Sequence, residues 1–334
     1  MLTNDATQTQ PGALPFISVV VPVYNEEAVL PKFIATMTGV LEKIDPAYEI
    51  IFAADPCSDR TFELIREAHA QNPRIKLLAL SRRFGQPAAT MCGLAFSRGQ
   101  TVVVIDCDMQ DPPALIAEMV SQWREGFKVV IPQRRTREGE HLLKRLIAYA
   151  GYWFINKVAN VKIPRNTGDF RLLDRRVVNE LVKLHESHGF LRGLVAVVGF
   201  KTCILPFDRD ARGAGEGKYN RITGSLRIGF NGIVAFSDYL LSMMVAAGFA
   251  ISALAILGIL IVLYMKLCTS WQFQSGIPSI MILVMGTCGL QMICMGILGA
   301  YIGRIYDESK RRPKFIVEEA LGLEGEFRQR RSAD

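Results

Sequence analysis

The fold class follows from residues 101–113, TVVVIDCDMQDPP. Thr101–Ile105 is a β-branched apolar run, which predicts a buried strand. An acidic loop follows directly, and its two prolines stiffen it and begin a helix predicted over Pro113–Trp123. A buried strand that leads through a short loop into a helix is the repeating unit of an α/β sheet.

The same unit recurs along the N-terminal half of the chain. Further strands are predicted at Ile17–Val23, Tyr48–Ala53, Ile75–Leu80 and Lys128–Ile131, and helices at Ala28–Ile44, Asp59–Ala70 (with Asp59 as N-cap) and Ala88–Arg98. This alternation predicts a doubly wound, Rossmann-like α/β sheet. Such sheets bind ligands at the carboxyl ends of their strands, where this chain has Asn25, Glu26, Asp55, Arg82, Arg83, Asp106 and Asp108.

Asp106 and Asp108 immediately follow the strand that opens the quoted stretch. Two carboxylates two positions apart at a strand end can reach one hard divalent cation, and such a cation can bridge a diphosphate. Gln110 offers a further oxygen ligand. The acidic pair by itself is a weak indicator, because strand-to-loop turns favour aspartate for structural reasons.

Two long apolar segments predict a transmembrane hairpin over 239–303. Lys266 is the only charged residue in this range. Tyr239–Met265 would form a helix of about 40 Å, which is long enough to cross the hydrocarbon core of a bilayer. Leu267–Gly303 would supply the second span, with its helical core at Ser279–Ile302. The alternative is a buried helical hairpin of a soluble protein.

Basic residues lie on both sides of this hairpin. Residues 124–237 carry 21 Lys and Arg against 10 Asp and Glu, and a basic cluster follows at 304–314. The positive-inside rule then places both termini in the cytoplasm and the protein in the cytoplasmic (inner) membrane. Basic charge near a membrane fits anionic headgroups or a phosphorylated substrate. Nucleic acid is not expected as a partner, because no base-stacking or groove-reading motif accompanies the charge.

Composition divides the rest of the chain. The predicted segments are a disordered lead-in at 1–15 without a signal peptide, an α/β domain at 16–223, a juxtamembrane helix at 224–238 and a cytoplasmic basic tail at 304–334. Glu140–Val161 is predicted to be an amphipathic helix at the membrane interface, with a soluble surface helix as the alternative. The seven cysteines form no CxxC pair and indicate reduced thiols in a cytosol-facing protein.

Two motifs taken together resemble a known family. Val21-Pro22-Val23-Tyr24-Asn25-Glu26 and the later Asp106–Pro113 run resemble the inverting glycosyltransferases of family two, which have a GT-A fold. With two C-terminal spans, the chain is similar to the polyisoprenyl-phosphate glycosyltransferases within that family. These include dolichol-phosphate mannose synthases and the bacterial glucosyl and aminoarabinosyl carrier enzymes. The resemblance covers Ile17 to Lys314.

The resemblance implies roles for named residues. Donor binding would involve Pro22, Tyr24, Asn25, Glu26, Asp55, Arg82 and Asp106, and Mg²⁺ or Mn²⁺ would be held by Asp106, Asp108 and Gln110. The catalytic set would be Asp108, Asp169 and Arg171, and the acceptor phosphate would be bound by Arg171, Arg212, Lys218 and Tyr219. The structural alternatives are an N-cap or Asx turn for Asp169 and an ion pair for Arg171. The cluster of Arg134, Arg135 and Arg137 is interpreted as a solvated loop or a lipid contact.

This chain departs from the family pattern at three places. Ala53-Ala54-Asp55-Pro56 lacks one carboxylate of the usual acidic turn, Arg83 replaces the usual Asn, and Ala214 stands where the family often has an aromatic residue. The first departure puts nucleotide contacts from that turn in doubt. It also motivates a non-enzyme alternative, a degenerate transferase domain that acts as a scaffold for a lipid-linked sugar flippase.

The function implied is inverting transfer of a hexose, with glucose expected first, from a UDP-sugar to polyprenyl (undecaprenyl) phosphate. A GDP-mannose-dependent mannose synthase and an aminoarabinose carrier enzyme remain as alternatives. A processive polysaccharide synthase is disfavoured, because the chain has no QxxRW motif. Five glycines between 286 and 303 allow close helix packing. A homo-oligomer is therefore expected, with a tetramer by analogy to the family.

Overall fold

The computed structural model describes residues 14–134, 167–184, 191–207, 239–268, 276–310, 312–325 and 327. The chain forms two compact units. The first contains residues 1–147, 161–218 and 312–334, and the second contains residues 148–160 and 219–311. Several expectations fall outside the described residues: the lead-in up to residue 13, the helices at 140–161 and 224–238, and the side chains of Arg212, Lys218 and Tyr219.

The first unit is built on an eight-stranded sheet with the order β7-β5-β6-β4-β1-β2-β3-β8. Its strands are β1 (Ile17–Val23), β2 (Tyr48–Ala54), β3 (Ile75–Leu80), β4 (Thr101–Val104), β5 (Val129–Arg134), β6 (Arg171–Asp174), β7 (Thr202–Phe207) and β8 (Val317–Leu321). The first five are the strands predicted from the sequence, with small shifts at their ends. Strands β1, β2 and β4 are buried along their whole length, which explains why most of their residues are apolar.

Six helices accompany the sheet in the described part of the chain. They are α1 (Leu30–Ile44), α2 (Thr61–Gln71), α3 (Gln86–Phe96), α4 (Leu115–Arg124), α5 (Arg175–Lys183) and α6 (Leu191–Val198). The first four confirm the predicted strand–helix alternation. At the start of α2, the carboxylate of Asp59 accepts a hydrogen bond from the Thr61 amide at 3.1 Å. The packing of α3 on the sheet is close, because a Cβ added at Gly93 would lie 2.3 Å from Cγ1 of Val20.

The sheet is mixed, which corrects the doubly wound arrangement expected from the alternation. Strands β3, β2, β1 and β4 run parallel, but β6 inserts antiparallel between β4 and β5. Val104 pairs with Arg171 in this register. The start of β6 therefore lies beside the carboxyl end of β4, and the residues that precede β6 are brought next to the acidic loop.

Strand β8 corrects a second expectation. The segment from 304 was expected to be a basic tail, but Val317–Leu321 pairs antiparallel with β3 and closes one edge of the sheet. No local pattern predicted this pairing, because the strand is short and carries two glutamates. An exposed edge of a parallel sheet is a site for unwanted pairing, and a covering strand removes it.

The second unit contains two long helices, α7 (Tyr239–Cys268) and α8 (Ile277–Ser309). Within the described residues, one segment is long and apolar enough to cross a membrane, Gly286–Ser309. A shorter apolar stretch lies at Met243–Gly258. Helix α8 also continues beyond Gly303, where the second span was expected to end.

Candidate active site

The centre of the candidate site is the acidic loop after β4. Asp106 accepts a hydrogen bond from the side-chain amide of Gln86 at 2.8 Å. Burial, together with the charges of the nearby carboxylates of Asp169, Asp108 and Asp111, raises the pKa of Asp106 to about 7. Negative charge is thus concentrated at the carboxyl end of β4, where a cation would relieve the repulsion.

Two residues at this edge hold a left-handed backbone. Met109 has φ of 56° inside the acidic loop, and Asn25 has φ of 54° directly after β1. Asparagine tolerates this conformation, but for methionine it is strained, and such strain persists only where the surroundings enforce it. The Asp108 carboxylate accepts a hydrogen bond from the Gln110 amide at 3.0 Å, which helps to fix the loop.

The turn after β1 is fastened to the turn after β2. The side chain of Asn25 accepts a hydrogen bond from the Ser58 amide at 2.9 Å and donates one to the Ser58 hydroxyl at 3.2 Å. The Glu26 amide donates to the hydroxyl of Thr61 at 2.9 Å. The Tyr24-Asn25-Glu26 motif is therefore held rigidly at the same sheet edge as the acidic loop.

Asp55, which the family resemblance assigns to the nucleotide, makes two hydrogen bonds to the loop after β3. Its side chain is 3% exposed. One carboxylate oxygen accepts a hydrogen bond from the Phe84 amide and the other accepts one from the Gly85 amide, both at 2.9 Å. Gly85 has φ of 91°, a conformation that glycine adopts readily. In this structure both oxygens of Asp55 fasten the loop after β3.

The loop fastened by Asp55 carries two exposed arginines. The guanidinium of Arg83 lies 4.2 Å from the ring centroid of Tyr24, and that of Arg82 lies 3.9 Å from the ring centroid of Phe84. Tyr24 is 38% exposed. The first pair joins the ends of β1 and β3 by a cation–π contact, and it uses the arginine that replaces the usual asparagine.

Asp169 and Arg171 lie beside the acidic loop, as the register of β6 requires. The Asp169 carboxylate accepts a hydrogen bond from Nε of Arg192 at 2.9 Å. Burial alone would raise the pKa of Asp169, but the charge and hydrogen bond of Arg192, together with the charge of Arg171, hold it below its usual value. The ion pair with Arg192 favours a fixed, ionised carboxylate.

Arg171 was expected to bind the acceptor phosphate, and its burial argues against that role. The side chain is 1% exposed, and it donates hydrogen bonds to the carbonyl oxygens of Gly168 at 2.8 Å and Asp169 at 3.2 Å. Burial lowers its pKa to about 10. This geometry fits the structural alternative, in which Arg171 shapes the turn that presents Asp169.

The chain is similar in sequence to known proteins. Residues 18–182 match Glycosyl transferase family 2. The chain is 40% identical over 307 residues to the "Uncharacterized glycosyltransferase YkcC" of Bacillus subtilis (strain 168), a match that covers 92% of this chain and 94% of the relative. This chain belongs to glycosyltransferase family 2. It is therefore a glycosyltransferase, and its mixed sheet with flanking helices is a GT-A-like fold.

Other family members are similar over nearly the whole length. The "Prophage bactoprenol glucosyl transferase homolog" of Escherichia coli (strain K12) is 35% identical, over 90% of this chain and 98% of that protein. The "Bactoprenol glucosyl transferase" of Shigella phage SfV is 34% identical with the same coverage. Glucosyl-3-phosphoglycerate synthase from Mycobacterium tuberculosis, crystallised with Mn²⁺ and UDP, is 20% identical over 66% of this chain and 78% of its own, with a TM-score of 0.41. A structural likeness this distant carries no functional argument.

The residues of this family member fit a divalent cation through a small ligand set. Within the described residues, no group of three or more His, Cys, Asp or Glu side chains is arranged to hold a metal ion. Mg²⁺ in nucleotide sites is commonly bound by only one or two carboxylates together with substrate phosphates. Asp106 and Asp108, with Gln110 adjacent, offer such a set at the carboxyl end of β4.

Three residues near the site were missed or misread in the sequence. Gln86 contacts Asp106, and Arg192 contacts Asp169 across a separation that no local pattern indicates. Arg134, interpreted as a solvated or lipid-facing residue, instead donates to the buried carboxylate of Asp111 at 3.0 Å. No signal in the sequence indicated this contact, because the predicted strand ended at Ile131, whereas β5 continues to Arg134.

Proposed function

We propose that this glycosyltransferase transfers a glucosyl group from UDP-glucose to undecaprenyl phosphate, with inversion at the anomeric carbon. Relatives named bactoprenol glucosyl transferase, which match about nine tenths of the chain at 34–35% identity, carry this proposal. The acidic loop at the sheet edge and the apolar helices of the second unit support it.

The proposed chemistry needs positioning more than proton removal. The acceptor is a phosphate that is anionic at neutral pH, so its oxygen can attack the anomeric carbon without a general base. A bond forms between that oxygen and C1 as the bond from C1 to UDP breaks, so an α-linked donor gives a β-linked product. Asp106, Asp108 and Gln110 would hold Mg²⁺ or Mn²⁺, which supplies charge neutralisation for the departing diphosphate.

The ion pair between Asp169 and Arg192, beside the acidic loop, fits this mechanism. Asp169 is held by Arg192, and its lowered pKa keeps it ionised at neutral pH. An ionised carboxylate fixed in this way can hold Arg192 in place next to the reacting phosphates. Tyr24, Asn25, Glu26 and the arginine loop would then form the donor side of the site. Arg212, Lys218 and Tyr219 are proposed for the acceptor phosphate from the family resemblance.

The proposal includes a membrane arrangement. Helix α7 contains 30 residues and α8 contains 33, so each would reach about 45–50 Å at ~1.5 Å per residue. Two spans with the catalytic unit and both termini in the cytoplasm would place the site where a lipid phosphate is presented. A homo-oligomer, with a tetramer by analogy, belongs to the same proposal.

The contacts of Asp55 weaken one argument for the scaffold alternative. That alternative rests on the missing carboxylate in the Ala53–Pro56 turn. The remaining carboxylate, Asp55, is used to fasten the arginine loop and does not need an acidic neighbour for this. Asp106 and Asp108 lie in the loop at the carboxyl end of β4, a position that supports the proposed donor binding.

The test uses the purified full-length protein in nanodiscs with Mn²⁺ and undecaprenyl phosphate. Radiolabelled UDP-glucose, GDP-mannose and UDP-aminoarabinose are offered separately, and the lipid product is identified by mass. We expect lipid-linked glucose with UDP-glucose, and loss of product in Asp108→Asn but not in Glu118→Gln, a matched change at an exposed helix position. Absence of lipid-linked product with every donor would overturn the enzyme proposal, and product only with another donor would correct the sugar.

A further inference from the structure

The loop Ser81–Gly85 is held from two opposite sides. From the sheet interior, Asp55 accepts hydrogen bonds from the Phe84 and Gly85 amides. From the sheet edge, the carbonyl oxygen of Ile316 accepts a hydrogen bond from the Ser81 amide at 3.0 Å. The second anchor comes from the segment that leads into β8, far away in the sequence.

Strand β8 continues this attachment along β3. Leu80 pairs with Val317, Ala79 with Glu319, and Leu78 with Ala320, with a register shift between Ala79 and Leu80. Leu78, Leu80 and Ala320 belong to one buried apolar cluster. The side chains packed against this cluster include Phe84, Phe315 and Val317. The aromatic residue of the arginine loop and the start of β8 therefore depend on the same packed core.

Two polar contacts add to the docking of this segment. Glu319 accepts hydrogen bonds from Nη2 of Arg66 at 2.7 Å and from Nε at 3.4 Å, on helix α2. Lys314 donates to the carbonyl oxygen of Leu184. The segment 314–321 is thus attached to three separate parts of the first unit, although none of its residues lies among the proposed substrate contacts.

We propose that β8 is a positioning element of the donor site, which sets the affinity for the nucleotide sugar by holding the Arg82–Gly85 loop. This inference rests on the proposed function of the site as a nucleotide-sugar site. A loop that is fixed before binding need not be ordered at the moment of binding, and this saving appears as affinity. Gln86, which directly follows this loop, contacts Asp106, but residues 108–111 are also fixed by the Asp108–Gln110 and Arg134–Asp111 hydrogen bonds. Loosening β8 is therefore expected to affect the donor side and to leave residues 108–111 in place.

Strand β8 follows helix α8 closely in the sequence. Only residues 310–316 separate the end of helix α8 from the start of β8. The element that holds the arginine loop is therefore the first regular structure after the apolar helix.

The experiment compares Ala320→Asp with Glu318→Gln in the full-length protein in nanodiscs. Ala320 is buried in the shared cluster, so a carboxylate there opposes docking of β8, whereas Glu318 is exposed on the same strand. We expect the donor KM to rise on the order of tenfold in Ala320→Asp, the loss expected when one or two long side chains must be ordered on binding. The acceptor KM should stay unchanged in Ala320→Asp, and the melting temperature should stay unchanged in Glu318→Gln.

Hydrogen exchange supplies a second measurement that does not need turnover. Amides 82–85 should exchange faster in Ala320→Asp, while amides 108–111 keep their wild-type rates. If Ala320→Asp does not fold, Val317→Thr keeps the shape of the side chain, weakens the same docking and should shift the donor KM in the same direction.

Three outcomes separate this inference from the proposed function. An unchanged donor KM with faster exchange at 82–85 overturns the positioning role. An equal rise in the donor KM and the acceptor KM, or faster exchange at 108–111 as well, also overturns it, because it indicates general loosening. If wild type makes no product with any donor, yet calorimetry shows weaker binding of UDP with Mn²⁺ in Ala320→Asp than in wild type, the proposed function fails and the positioning role stands.

Discussion

The Asp55→Asn substitution separates two roles for this residue. The family resemblance assigns Asp55 to the nucleotide, whereas the structure uses both of its oxygens to hold the Phe84 and Gly85 amides at 2.9 Å. Asparagine has the same shape but only one acceptor oxygen. Its NH₂ group would face a backbone N–H, and two donors cannot pair.

The expected cost follows from these two bonds. A hydrogen bond to a charged group contributes about 1.5–3 kcal/mol, and a buried donor left without a partner adds to the loss. Phe84 and Gly85 are only partly buried, so water replaces part of what is lost. We therefore expect a destabilisation of about 2 kcal/mol, which corresponds to a fall in melting temperature of roughly 4–8 °C for a domain of this size.

The assay measures thermal unfolding and donor KM on the same purified protein. Glu63→Gln on helix α2 is the matched control, because it makes the same chemical change at an exposed position. Loss of the loop anchor should lower the melting temperature and raise the donor KM together. The control should change neither.

One combination of donor KM and melting temperature would contradict the loop-anchoring role of Asp55. If Asp55→Asn raises the donor KM while its melting temperature stays within about 1 °C of wild type, the carboxylate acts on the nucleotide and not on the loop. An unchanged value of both quantities would show that the two hydrogen bonds contribute nothing measurable.

Three further outcomes are expected. Asp108→Asn should lower transfer by about 10- to 100-fold or more and weaken Mn²⁺ binding measured by calorimetry, because loss of a mere hydrogen-bond partner of a metal ligand commonly costs about 10- to 100-fold. Glu49→Ala should destabilise the protein by about 3 kcal/mol in chemical unfolding, since Glu49 is 2% exposed and pairs with Lys76 at 2.7 Å, and removal leaves that ammonium unpaired. For Asp169, the folded pKa lies below the unfolded value of about 4, so the stabilisation is present above about pH 4 and is lost as pH falls through the lower folded pKa. Removal of the partner in Arg192→Gln should flatten this loss in unfolding free energies measured between about pH 3 and 6.

Local patterns were sufficient for the parallel part of the sheet. Ile17–Val23 and Ile75–Leu80 were predicted with the same bounds that the structure shows, because buried strands of a parallel sheet are continuous apolar runs. The acidic loop was also identifiable, since its residues are neighbours in sequence and the carboxyl edge of such a sheet is where ligands bind.

The burial of individual polar side chains could not be predicted from the sequence. Arg171 has the residue type of a phosphate-binding group, yet its side chain points into the protein and binds two carbonyl oxygens. Asp55 likewise has the residue type of a ligand contact and serves a loop. Residue type is visible in a sequence, but the direction of a side chain depends on which elements pack around it.

By itself, the sequence determined the strand–helix units, the acidic loop with Asp106 and Asp108, and the apolar helices near the C-terminus. Each of these depends on residues that are close in the chain. The tertiary structure alone decided that β6 and β8 join the sheet antiparallel, that Arg192 pairs with Asp169, and that the segment before β8 holds the arginine loop. These contacts join residues that are distant in the chain, and backbone hydrogen bonds and ion pairs of this kind leave no periodic pattern in a single sequence.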